Sequence, residues 1–221
     1  MEPLKITAEL YGRVMLPREG VIHLDALLMA AVARVEGRPP PLDETQLEEI
    51  PIPVAKSACG SYYLASASVG AVRARELRWI NKRFPIAEWQ QLGGGKSAQR
   101  VQLSAGPSKS FRIPAEAHRV EGDRLLWWCV GERAPIERLL SAITSVGRLR
   151  GHGEGEVRRW IVEPCEPWGE GFPVLSPEGA ALRTLPLDTP GLGAHVPRFG
   201  NLAPPYWRRS TEEPVAAPVP R

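Results

Sequence analysis

The fold of this chain is decided by residues 147–163, GRLRGHGEGEVRRWIVE. Residues 147–155 hold four glycines among arginines and a histidine, and this composition predicts a loop because glycine favours turns. Residues 156–163 predict a strand with two alternating sets of side chains. One set is Val157, Arg159, Ile161 and Glu163, and the other is Arg158, Trp160 and Val162. A glycine-rich loop that leads directly into a strand therefore ends the predicted core.

The elements before this stretch predict the order strand, helix, strands, helix. They are a strand in residues 4–15, a helix in 23–35, a weakly alternating strand in 61–72, a buried strand in 123–130 and a helix in 135–146. The first strand alternates Leu4, Ile6 and Ala8 with polar residues, and both helices carry an apolar stripe. With the final strand the order becomes βαββαβ. This is the pattern of an α+β, ferredoxin-like fold of the RNA-recognition type.

Composition excludes several classes of protein. The hydrophobic fraction of 43% is too high for a disordered chain, and no apolar run is long enough for a membrane-spanning helix. Three scattered cysteines fit neither a disulfide framework nor a zinc site, and residues 1–10 show no secretory leader, so we expect a cytoplasmic protein. The 23 prolines and 21 glycines predict long loops. We expect a single domain in residues 1–210 with a Pro/Gly-rich C-terminal elaboration, and a disordered tail in residues 211–221.

A basic segment interrupts the predicted core. Residues 73–112 hold nine basic and two acidic residues, an excess of +7 in a chain whose net charge is +3. The basic residues are Arg73, Arg75, Arg78, Lys82, Arg83, Lys96, Arg100, Lys109 and Arg112. Four aromatic residues lie among them and could stack on unpaired bases or form a small core of their own: Trp79, Phe84, Trp89 and Phe111. We predict a thumb-like insertion that binds nucleic acid; the alternative is a lid that folds back on acidic residues 43–49.

The glycine-rich loop provides a second candidate surface for RNA. Glycine lets a polymer backbone approach closely, and each arginine can bridge two phosphate oxygens. The candidate RNA-binding residues are Gly147, Arg148, Arg150, Gly151, His152, Gly153, Gly155, Arg158 and Arg159. The alternative is a long loop whose glycines serve only its own turns.

The sequence predicts neither a cofactor nor a metal site. The four histidines, His23, His118, His152 and His195, show no metal-ligand spacing. Metal-free RNA cleavage needs only a histidine, tyrosine or lysine near a 2′-hydroxyl, and His152 or His23 could serve. His23 has no evident catalytic partner, and a satisfied or exposed histidine is the more common role of each, so we expect no enzyme. The alternative left open is an endoribonuclease.

Two stretches of the sequence resemble a known family. Residues 147–163, together with the element order, resemble the RAMP superfamily of CRISPR-associated RNA-binding proteins. Residues 22–28, IHLDALL, are similar to the RAMP subunit of type IV CRISPR effector complexes that caps the 5′ handle of the guide RNA. The resemblance spans residues 4–210.

The resemblance implies a non-catalytic subunit of a prokaryotic ribonucleoprotein. Such a subunit would hold the 5′ handle of the crRNA and contact the repeated RAMP backbone subunits and the large subunit. It would also lie near the protospacer-adjacent motif of target DNA, while guide pairing reads the target sequence. The alternative within the superfamily is a metal-independent endoribonuclease that processes precursor crRNA.

Overall fold

The computed structural model describes residues 1–17, 20–38, 50–82, 104 and 110–219. The α-helices and strands of these residues are, in chain order, β1 (Glu2–Leu10), α1 (Leu24–Val35), β2 (Val72–Lys82), β3 (Phe111–Val120), β4 (Arg124–Gly131), α2 (Arg133–Ser141), β5 (Val157–Pro164), β6 (Leu185–Pro186), β7 (Val196–Gly200) and β8 (Glu213–Ala217). The chain divides into two compact units. The first is Met1–Ala74 with His118–Arg221, and the second is Arg75–Ala117.

A three-stranded antiparallel sheet forms the centre of the first unit. Strand β1 lies between β4 and β5, with Ile6 opposite Trp127 on one side and Val162 on the other. As the alternation predicted, Leu4, Ile6 and Ala8 are fully buried. Strand β1 ends at Leu10 and not at Met15, because Tyr11 continues into a bend.

Both helices pack on the inner face of this sheet. The core combines apolar side chains of β1, β4 and β5 with the apolar stripes of α1 and α2; the helical members are Leu24, Leu28, Ala31, Ile136, Leu139 and Leu140. Helix α2 ends at Ser141, five residues before the predicted end at Val146. The Ser141 hydroxyl donates to the Arg138 carbonyl, which competes with helix continuation.

The strand predicted in residues 61–72 forms only isolated bridges. Ala65 pairs with Cys129 and Val69 with Leu126, so the segment runs antiparallel beside β4. Its serines explain the broken ladder. The Ser66 hydroxyl accepts from the backbone N–H of Trp128, which a continuous strand would use for its own carbonyls. The mixed α+β structure with antiparallel sheets is consistent with a ferredoxin-like core.

The described part of the second unit contains most of a two-stranded ribbon. Strands β2 and β3 pair with each other, and the short 3-10 turn Glu121–Asp123 follows β3. The predicted insertion, residues 73–112, therefore begins in β2 and ends in β3.

The C-terminal segment forms a second small sheet in the first unit. The order is β6-β8-β7, and β8 is the central strand. The disorder predicted for residues 211–221 is therefore wrong for Glu213–Ala217, because Val215, Ala216 and Ala217 are buried. Strand β6 pairs only with Val215 and Ala216 of β8. Pro214 lies beyond this pairing, at a position where a strand tolerates a residue without an N–H donor.

Candidate nucleic-acid interface

The glycine-rich loop between α2 and β5 is fixed by backbone hydrogen bonds to the chain segment that follows β1. The N–H of Arg148 donates to the Met15 carbonyl at 2.7 Å, and the N–H of Gly155 donates to the Arg13 carbonyl at 2.8 Å. These bonds hold both ends of the loop. The loop is therefore a shaped turn on the first unit.

The glycines of this loop fall into two classes. Gly147 and Gly155 have φ of +82° and +69°, and a Cβ would lie 2.5 Å from the Met15 carbonyl and 1.9 Å from the Val146 carbonyl. Their lack of a side chain is thus explained by packing against their own chain, and Gly155 is buried. A Cβ on Gly151 or Gly153 would meet nothing within 4 Å. Only these two glycines lie open to a ligand.

The structure brings Arg148, Arg150 and His152 together on one exposed turn. Arg150 and His152 belong to a short 3-10 turn, with Leu149 in the left-handed region at φ 54° before it. All three residues are exposed. Glu154, the acidic residue of the loop, is buried and forms an ion pair with Arg13 at 3.7 Å. The exposed tip of the turn is therefore basic.

The next two predicted residues, Arg158 and Arg159, lie on opposite faces of β5, since successive side chains of a strand alternate. Arg158 and Arg159 both line a shallow groove beside the end of α2, together with Trp160 and Ser141. Arg159 lies over the outer face of the sheet, where it contacts Glu9 of β1. The structure thus does not combine all four arginines in one surface.

Glu9 joins two strands through arginines on the outer face of the sheet. Arg159 donates to both Glu9 carboxylate oxygens, at 2.7 and 3.2 Å, and Arg124 of β4 donates to Oε1 at 2.9 Å. The hydrogen bonds from Arg159 lower the pKa of Glu9 against the effect of burial, and Arg124 adds to this. Sequence reasoning missed Arg124 and Glu9. The strand alternation places both on the outer face, but only the sheet register brings them beside Arg159.

A buried polar network fixes the start of α1 to the C-terminal segment. Arg183 and Asp25 are both buried and lie 3.1 Å apart, and the Tyr206 hydroxyl donates to Asp25 at 2.9 Å. Arg183 also donates to three backbone carbonyls of two other segments: those of Tyr63, Ala65 and Leu202. Sequence reasoning missed this network, because Asp25 and Arg183 are 158 positions apart.

His23, one of the two candidate bases, belongs to this network. Its ring stacks on Tyr206 with centroids 4.1 Å apart, and its Nδ1 is shielded from solvent without a partner among the described residues. Burial lowers the pKa of His23 well below its ordinary value, and Arg183 and Arg198 lower it further. The structure thus places the His23 ring against Tyr206 with its Nδ1 away from solvent, while the residue as a whole is partly exposed.

The basic ribbon presents aromatic and charged side chains side by side. Arg112 lies over the ring of Trp79 at 4.5 Å, and Arg75 forms an ion pair with Glu116 at 3.4 Å. Of the nine basic residues predicted for the insertion, four are described as exposed: Arg73, Arg75, Arg78 and Arg112. Lys82 ends β2, and its side chain is not described. The other predicted residues, Arg83, Lys96, Arg100 and Lys109, lie outside the described residues, as do Phe84, Trp89 and the acidic residues 43–49.

Exposed apolar side chains accompany these charges on the ribbon. Trp79 is 50% exposed, and Leu77, Phe111 and Ile113 are also exposed. Trp79 with Arg112 forms a flat, cationic surface of the kind on which an unpaired base stacks.

Among the described residues, no three His, Cys, Asp or Glu side chains converge as ligands of a metal ion. The helices in that part of the chain are also too short or too polar to cross a membrane.

Comparison with known proteins gives one family. None of the curated proteins compared with the chain matches it. The family model of CRISPR type IV associated protein Csf3 matches residues 80–218, which include the ribbon strand β3, the glycine-rich loop and the C-terminal sheet. Because this match covers more than half of the sequence, the chain belongs to the family of CRISPR type IV associated protein Csf3.

Proposed function

We propose that this chain is a non-catalytic subunit of a type IV CRISPR ribonucleoprotein and binds the 5′ handle of the crRNA. Membership of the type IV family supports assembly into such a complex. RNA binding is supported above all by the exposed basic turn Arg150–His152, with Arg148 before it. This turn lies on a loop that is fixed at both ends.

The geometry of this turn suits phosphate contact. A guanidinium can donate two parallel hydrogen bonds to one phosphate, and a fixed backbone reduces the conformational entropy lost on binding. Glu154 is already paired with Arg13, so it does not compete for Arg148 or Arg150 from the exposed side of the turn. The open space at Gly151 and Gly153 leaves room for an RNA backbone beside the arginines.

The proposed partners follow from the family. The subunit would contact the repeated RAMP backbone subunits and the large subunit in the cytoplasm of a prokaryotic cell. The basic ribbon would lie on nucleic acid, near the protospacer-adjacent motif of target DNA. Base pairing with the guide, and not this subunit, would select the target sequence.

Salt dependence of RNA binding tests the proposal. Replacing Arg148 and Arg150 by alanine should weaken binding of a labelled single-stranded repeat RNA. It should also reduce the slope of log K against log salt by roughly 0.7 to 1 per lost phosphate contact. The matched control is Arg133→Ala on α2, an exposed arginine paired with Glu137. An unchanged slope in the loop variant would refute RNA binding by this turn.

The ribbon requires a separate experiment. Reversing Lys82 and Arg83 to glutamate should abolish complex assembly or target binding and leave the thermal midpoint nearly unchanged. Trp79→Ala should weaken binding by removing the stacking surface, at about 1–3 kcal/mol per stacked base. If the charge reversals unfold the protein but spare binding in the remaining folded fraction, the ribbon is structural.

Incubation with labelled repeat RNA in EDTA tests the absence of catalysis. The non-catalytic subunit should leave the RNA intact. Cleavage to a 2′,3′-cyclic end that His152→Ala abolishes would establish a metal-independent endoribonuclease instead.

A further inference from the structure

The outer face of the central sheet carries a pair of arginines held by one carboxylate. In the sheet register Glu9 lies opposite both Arg124 and Arg159. The arginine side chains are 58% and 62% exposed, whereas the Glu9 side chain is only 11% exposed. The guanidinium groups therefore cover the carboxylate and face the solvent.

The two guanidinium groups are close enough to share one anion. Their NH2 nitrogens lie 2.9 and 3.2 Å from the same oxygen, Glu9 Oε1, so their separation cannot exceed those two distances together. Two guanidinium groups carry ten N–H groups, and the contacts with Glu9 use three of them. After pairing with Glu9, the cluster keeps one net positive charge.

From this arrangement we infer that Arg124 and Arg159 bind one backbone phosphate of single-stranded RNA across the outer face of the sheet, with Glu9 as the positioning residue. Glu9 fixes the direction of both guanidinium groups before RNA arrives, which reduces the ordering cost of binding. The inference rests on the proposed function and adds a phosphate site on the sheet to the one at the loop.

The neighbouring residues favour a nucleotide over a free anion. The next row of the register places Leu126 of β4 and Ile161 of β5 on either side of Thr7. Leu126 and Ile161 are partly exposed and apolar, so a sugar or base has an apolar contact beside the phosphate. A free phosphate ion would use only the arginines.

Removing the negative charge and the positive charges in separate variants distinguishes an RNA-binding site from a cluster that only stabilises the sheet. Glu9→Gln keeps the shape of the side chain and one acceptor oxygen that can position both guanidinium groups, as Oε1 does in the wild type, and it removes the competing charge. It should therefore tighten RNA binding and steepen the salt slope. Arg124→Gln with Arg159→Gln should weaken binding and reduce the slope by about 0.7, the value for one phosphate of a single strand. Arg133→Gln on α2 is the matched control, with no expected change.

The assay is fluorescence anisotropy with labelled single-stranded RNA of mixed sequence, DNA of the same sequence and inorganic phosphate as competitor. Thermal unfolding of each variant is measured in parallel. Arg124→Gln alone is a second variant, because its side chain makes one contact with Glu9 and should not prevent folding. Opposite effects of the glutamate and arginine substitutions on RNA affinity would support the site.

Three results would overturn the inference. The first is an unchanged salt slope in all variants while their thermal midpoints fall, which means that the cluster only joins strands. The second is a change of the salt slope in the arginine variants that occurs for DNA binding but not for RNA binding. The third is complete displacement of the labelled RNA by inorganic phosphate at low concentration. If the wild-type protein binds RNA and the Arg148 and Arg150 variant weakens it, any of these results refutes the sheet site and leaves the proposed function intact.

Discussion

Removing the carboxylate of Asp25 should destabilise the protein more than any exposed charge would. In Asp25→Ala the Arg183 guanidinium remains completely buried, but it loses its anionic partner at 3.1 Å. Breaking a buried ion pair from one side costs about 3–5 kcal/mol, because an uncompensated charge stays in the interior. For a chain of this length, such a loss lowers the thermal midpoint by roughly 6–20 °C.

Denaturant unfolding followed by circular dichroism measures this loss. The matched control is Arg133→Ala, which breaks an arginine–glutamate pair on α2 whose side chains are 47% and 44% exposed. That pair should contribute only about 0.3–0.5 kcal/mol. If Asp25→Ala costs no more than the control, the buried network does not stabilise the fold, and the reasoning is refuted.

A double variant tests what else Arg183 does. Replacing Asp25 by leucine and Arg183 by methionine removes both charges, which in other proteins is often neutral. Here it should recover only part of the loss, because Arg183 also donates to three backbone carbonyls. Each carbonyl left buried without a donor costs about 1–3 kcal/mol. Full recovery would show that these carbonyls find other donors.

Three further predictions follow from single residues. The lowered pKa of His23 means that the unfolded chain takes up the proton first, so stability should fall as pH drops below about 6.5, by at most about 1.4 kcal/mol per pH unit. His23→Phe, which keeps the stacking on the neighbouring tyrosine, should flatten that slope in pH-dependent unfolding, and an unchanged slope would exclude His23 as its source. Gly155→Ala should cost several kcal/mol because its Cβ would clash with a carbonyl, whereas Gly151→Ala should be tolerated in the same unfolding assay; equal effects would contradict the loop geometry. Hydrogen bonding by Ser57 lowers the pKa of the exposed Cys59 to about 7, so iodoacetamide at neutral pH should modify Cys59 first, and Ser57→Ala should slow that reaction; an unchanged rate would remove Ser57 as the cause.

The regular elements of the core were predictable because local patterns determine them. Alternation located β1, the buried stretch 123–130 located β4, and the apolar stripes located α1 and α2, to within a few residues at most ends. The weak alternation of residues 61–72 did not give a strand, because Ser66 and Ser68 form hydrogen bonds through their hydroxyls to backbone N–H groups of other segments. A periodic pattern does not show such competition.

The C-terminal segment was harder to predict for a different reason. Its prolines indicated disorder, but three small apolar residues of β8 are buried between two other strands. Burial of that kind depends on which strands come together, and neither β6 nor β7 shows a clear alternation of its own. The same limit hid the buried Asp25–Arg183 pair, whose members are distant in sequence.

The candidate site shows how far residue type alone can locate function. The sequence identified the basic loop, and the structure places Arg148 and Arg150 on its exposed side. It did not separate glycines that the fold itself requires, such as Gly155, from those that leave space for a ligand, such as Gly151, because both look the same in a motif. It placed Arg158 and Arg159 on alternating sides of the predicted strand but assigned both to RNA binding.

The separation of Arg158 from Arg159 has a consequence for how RNA would lie on the first unit. Adjacent residues of a strand face opposite sides, so the two side chains leave the backbone of β5 in opposite directions. Both arginines line the groove beside α2, but only Arg159 is joined to Arg124 through Glu9 on the outer face of the sheet. An RNA strand on the outer face would use Arg159 and leave Arg158 free for another contact. Losing Arg158 should therefore affect RNA binding independently of Arg159, and the free-energy changes of the two single substitutions should add in the double variant.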